Sequence, residues 1–157
     1  MTDFNELYRA HAPDVYRFAL YLSGNRSDAE DIVAETFVRA FTSPEPIRMA
    51  TVKGYLFTIA RHLFLHSLRR AGRHVPLSDN LRAPEKGPEA RAEEDSQLAV
   101  VLAALQTLPE VDRAALLMRA NDDMPYDEIA RALGISLASV KVKIHRARLA
   151  IAHVREA

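Results

Sequence analysis

Apolar residues return every three or four positions along nearly all of this chain. That period is helical and leaves no pattern for a strand, so the expected fold class is all-α. Phe4, Leu7, Tyr8, His11, Val15, Phe18, Ala19 and Leu22 define one long helix, with room for a bend at Pro13. Ser23-Gly24-Asn25 ends it, and Ser27 or Asp28 suits the cap of a second helix carrying Ile32, Val33, Thr36, Phe37, Ala40 and Phe41. Pro44 and Pro46 break that helix. A third is expected from about Val52 to Ala71, with Gly72 as its stop.

The period then fails. Between His74 and Asp95 lie Pro76, Pro84, Gly87 and Pro88 with few large apolar residues, the composition of an extended linker. It divides the chain into an N-terminal unit, residues 1–73, a linker, 74–95, and a C-terminal unit, 96–157. Units this small bury limited surface and need help from each other or from a partner. Four helical segments follow: Gln97 to Leu105, one opened by Pro109, a short one opened by Pro125, and a last one capped by Ser136 after Gly134-Ile135.

A short helix, a glycine turn and a capped helix make a helix-turn-helix. Ala130 is small where the two helices cross, Gly134 permits the positive backbone angle of the turn, and Ile135 and Val140 lock the pair. The second helix then presents Ser139, Lys141, Val142, Lys143, His145 and Arg146 outward. In this motif that helix lies in the major groove, where lysine and arginine read guanine or hold phosphate.

Net charge is zero, but the charge is distributed unevenly. Lys53, Arg61, Arg69, Arg70 and Arg73 form one strip without an acid, and Lys141, Lys143, Arg146, Arg148 and Arg155 form another. Two basic strips on a neutral chain are a footprint for nucleic acid or two ordinary solvated helix faces, and charge alone does not decide between them. On the first strip, arginines for phosphate combine with Tyr55 for stacking, which suits melted DNA; a hydrogen-bonded structural tyrosine is the plainer reading of Tyr55. The helix from Asp28 to Phe41 is acidic and wrong for DNA. It suits a basic protein partner or is a solvated face, and on its residues alone the solvated face is the plainer reading.

Other chemistries find little support. Absence of cysteine excludes disulfides and thiolate metal sites. His62 and His66 have i, i+4 spacing but no acidic third ligand nearby, so no metal or other cofactor is expected. There is no glycine-rich phosphate loop and no convincing carboxylate pair, so an enzyme is not expected. No apolar run spans a membrane and no secretory leader is visible, so membrane insertion is not expected and the default compartment is the cytoplasm.

Three stretches together resemble the bacterial sigma factors of RNA polymerase, in the extracytoplasmic-function class that keeps only two domains. Asp28-Ala-Glu-Asp-Ile-Val-Ala-Glu-Thr-Phe-Val-Arg-Ala-Phe41 is similar to the segment that binds core polymerase. Gly54-Tyr-Leu-Phe-Thr-Ile-Ala-Arg-His-Leu63, continuing to Arg70, is similar to the segment that reads and melts the minus-ten element. Leu108-Pro-Glu-Val-Asp-Arg-Ala-Ala-Leu-Leu117 and the helix-turn-helix resemble the minus-thirty-five-reading domain.

The resemblance implies a factor that binds core RNA polymerase and directs it to promoter DNA, commonly under control of an anti-sigma protein. It assigns Asp28, Glu30, Asp31 and Glu35 to polymerase. Arg48, Lys53, Tyr55, Arg61, His62, His66, Arg69 and Arg70 go to the minus-ten element, with Arg48 in a loop that holds a flipped base. The outward residues of the last helix go to the minus-thirty-five element. The chain departs from the family pattern at Tyr55, often Trp, at His62, commonly Asn, and at His66, frequently Asp. Val142 replaces a small polar residue and shifts readout toward a thymine methyl. Two alternatives keep parts of this picture. A sigma-like decoy that only binds an anti-sigma protein would lose the basic residues on both faces, and a free-standing helix-turn-helix repressor has no use for the acidic helix.

Overall fold

The computed structural model describes residues 3–43, 51–73 and 92–156 of the 157-residue chain. Seven α-helices lie among them: α1 (Phe4–Ser23), α2 (Arg26–Thr42), α3 (Val52–Arg73), α4 (Ala92–Gln106), α5 (Glu110–Asp122), α6 (Tyr126–Leu133) and α7 (Leu137–Glu156). No strand occurs among the described residues.

Local chemistry explains the helix ends. Asp3 caps α1 by accepting from the Glu6 amide, and Gly24 closes it at φ 74°, a left-handed angle open to glycine. The cap of α2 is Asn25, which accepts from the Asp28 amide, rather than Ser27 or Asp28. With only Gly24 and Asn25 between the helices, the earliest capable side chain takes the role. Pro13 sits inside α1. α4 begins at Ala92, within the stretch assigned to the linker, because Ala92-Glu93-Glu94 are strong helix formers.

α1, α2 and α3 form the N-terminal unit around Val15, Phe18, Leu22, Phe37, Leu56 and Phe57, all fully buried. The Phe18 and Phe57 rings stack with centroids 4.6 Å apart. The C-terminal helices pack around Met118, Ile129, Val140 and Ile144. The two units meet through α1 on α5 and α3 on α6, and their buried residues form one continuous core. Mutual support of this kind is what two units of this size require.

Arg113 ties the junction together. Its buried guanidinium donates to the carbonyls of Leu105, Leu108 and Leu22. Leu22 and Leu105 lie in the last turns of α1 and α4, where unpaired carbonyls concentrate negative charge. Burial nevertheless holds the Arg113 pKa below its ordinary value.

Candidate nucleic-acid and polymerase interfaces

In the helix-turn-helix, the Gly134 amide donates to the Ala130 carbonyl at φ 70°, and the Ser136 hydroxyl accepts from the Ser139 amide to start α7. Val140, Ile144 and Ala147 are buried, which fixes the rotation of α7. Lys141, Val142, His145 and Arg146 then face solvent, while Ser139 and Lys143 are half-buried. Lys143 and Arg146 are already engaged. Arg146 meets the buried Asp112 carboxylate of α5 with two hydrogen bonds, Nε to Oδ2 at 2.8 Å and Nη2 to Oδ1 at 3.1 Å. Lys143 Nζ stands 3.9 Å from Asp112 Oδ1. The contact with Asp112 raises the Arg146 pKa further.

The basic residues of α3 separate into two groups. Nine residues at about 100° each turn the helix by roughly 180°, so Arg61 and Arg70 point to opposite sides. They do not share one DNA face. Arg61 is buried and donates to Glu110 of α5 through Nε, 2.7 Å, and Nη2, 2.8 Å. Lys53 pairs with Asp14 of α1 at 3.1 Å and with Asp122 of α5 at 3.5 Å, and Arg17 joins both carboxylates. These opposite charges hold Asp14 below its usual pKa and Lys53 above, against the desolvation that opposes both. At Asp122 the desolvation prevails and raises its pKa.

The other group is open. His62, His66, Arg69 and Arg70 are exposed, and Tyr55 is half-buried. His66 and Arg70 line a groove between α2 and α3, opposite Asp28, Asp31 and Glu35. Glu30, Asp31 and Glu35 of α2 are exposed, Asp28 is half-buried, and Glu35 pairs with Arg39 on the surface. Arg48 lies outside the described residues. Desolvation, and then neighbouring Arg61, hold the His62 pKa below its ordinary value.

Sequence reasoning passed over the acids that organise these cations. Glu110, Asp112, Asp122 and Glu128 receive Arg61, Arg146, Lys53 and the start of α3 respectively. Glu128 Oε2 accepts from the Thr51 amide at 3.1 Å and from its hydroxyl at 2.6 Å. One signal was available. Asp112 precedes Leu116 by four residues and Glu128 precedes Ala132 by four, so each falls on an apolar stripe. A carboxylate there is buried and must have a partner.

Fold and site together define a two-part helical protein with a helix-turn-helix and a separate exposed acidic helix face. Residues 7–74 match Sigma-70 region 2 and residues 98–151 match Sigma-70, region 4. The chain is 30% identical to the ECF RNA polymerase sigma factor SigM of Bacillus subtilis, over 92% of this chain and 90% of that one. It is 41% identical to the ECF sigma factor SigE of Mycolicibacterium smegmatis, over 94% of this chain but 60% of that longer one. Among solved structures it is similar to the sigma factor RpoE of Bartonella quintana in complex with the anti-sigma factor NepR. The TM-score is 0.80 at 25% identity, covering 100% of this chain and 99% of that one. It also resembles CnrH in complex with the cytosolic domain of CnrY, with a TM-score of 0.68 at 26% identity, covering 98% and 87%. The chain belongs to the ECF RNA polymerase sigma factors.

Proposed function

We propose that this chain binds core RNA polymerase through the exposed acidic face of α2 and carries it to promoters. α3 and residues 44–51 before it take the minus-ten element, and α7 takes the minus-thirty-five element. The observation that carries this reading is the order of both Sigma-70 regions on one chain, each with a basic helix in the expected place. A decoy would lack those basic faces, and a lone repressor would not need α2. Regulatory DNA binding is the activity assigned. The site of action is the cytoplasm, and among the described residues no helix is long and apolar enough to cross a membrane.

The same reading requires the two units to part. Lys53 and Arg61 are bound to carboxylates of the C-terminal unit, so neither is free for DNA in this arrangement. The whole chain superposes on a relative captured with an anti-sigma factor, which supports control by a protein that favours the closed pair.

Co-elution with purified core polymerase tests the docking face. Asp31→Arg reverses a charge on an exposed residue and leaves the fold intact, and it should abolish stable co-elution. Retention by the variant equal to the wild type would remove α2 from the account.

A further inference from the structure

Asp112 is the least expected residue near the DNA face. It sits on α5, outside the helix-turn-helix, and is 1% exposed. A buried carboxylate behind a helix that must approach phosphates weakens that approach. Its geometry offers a return. Arginine carries five N–H donors in a rigid plane. Asp112 takes one from Nε and one from Nη2, side-on. Three remain, two on Nη1 and one on Nη2, along the edge away from the carboxylate. The Arg146 side chain is 57% exposed, so that edge can reach a ligand. Lys143, one turn earlier, is drawn toward the same carboxylate.

We propose that Asp112 is a positioning residue for promoter reading. Its carboxylate locks the Arg146 guanidinium in one orientation, so that the free edge can make a two-donor contact with a base. This rests on the reading of α7 as the minus-thirty-five helix. An arginine fixed before binding loses less side-chain freedom on contact, and it tolerates fewer base identities. The Asp112 charge also subtracts from attraction to any phosphate. Asp112 therefore trades sequence-independent affinity for discrimination.

The test uses holoenzyme assembled from core polymerase and each variant. Binding is measured to a promoter, to promoters with single substitutions in the minus-thirty-five element, and to non-promoter duplex. Asp112→Asn keeps shape but removes the acceptor pair. It should lower discrimination at one base pair about tenfold, the scale of a single two-donor base contact, without weakening binding to non-promoter duplex. Arg146→Lys keeps the charge but lacks the planar fork, and should lose the same discrimination. Arg146→Ala separates the two claims. If it discriminates like the wild type, Arg146 reads no base in this element and the proposal is overturned. If it loses discrimination while Asp112→Asn keeps it, Asp112 only joins helices and the proposal is overturned. Should Asp112→Asn fail to fold by circular dichroism, the exposed Arg146→Lys decides: discrimination equal to wild type overturns the proposal.

Discussion

Arg61 and Glu110 meet side-on across the two units, with hydrogen bonds of 2.7 and 2.8 Å. The pair joins α3 to the first turn of α5, and its side chains are 10% and 16% exposed. Both charges are hidden from solvent only while the units are together. The contact is therefore an element of the closed arrangement, and on the proposed reading of α3 it competes with DNA for Arg61.

Glu110→Ala should open the molecule. Removing one partner from a fully buried pair costs roughly 3–5 kcal/mol. Slight exposure here lowers the expected loss to about 2 kcal/mol. Small-angle scattering should show a larger radius of gyration with unchanged helix content. An unchanged radius would mean that the apolar contacts alone hold the units.

Gly54→Ala isolates the same event from helix stability. Gly54 lies in α3, and a Cβ there would collide with Glu128 Oε2. Alanine in a helix is ordinarily better than glycine by about 1 kcal/mol. The substitution should thus strengthen α3 yet displace Glu128 from Thr51. Amide exchange should slow within α3 and quicken along α6. Slower exchange in both would contradict the role given to Glu128.

These contacts show what sequence alone could and could not supply. The helices were legible because apolar residues keep strict period, and the helix-turn-helix because Gly134 and Ser136 are local signals. The basic strip on α3 was legible as charge but not as geometry. Lys53 and Arg61 turn toward Asp122 and Glu110, 69 and 49 residues away, and no local pattern announces a partner at that distance. Asp112 and Glu128 were detectable only as carboxylates on apolar stripes, a signal that gives burial but not the partner.

His62 supplies a pH test. Its pKa is lowered in the fold from the unfolded 6.5, by desolvation first and by Arg61 second. Between the folded value and 6.5 the unfolded chain binds more protons, so stability rises with pH in that window. The contribution is complete above 6.5 and is lost as pH falls below it. NMR should place the His62 midpoint under 6.5, and Arg61→Gln should move it upward. At pH 7.5 His62 is neutral, so His62→Gln should leave the salt dependence of promoter binding unchanged. Arg70→Ala should reduce that slope by about 0.7–0.9, the share of one phosphate. A matching reduction from His62→Gln would contradict the neutral assignment.

Run-off transcription with purified core polymerase tests the central claim most directly. Core polymerase with this protein should yield a discrete promoter-specific transcript that core polymerase alone does not make. No such transcript from any genomic template would contradict the account.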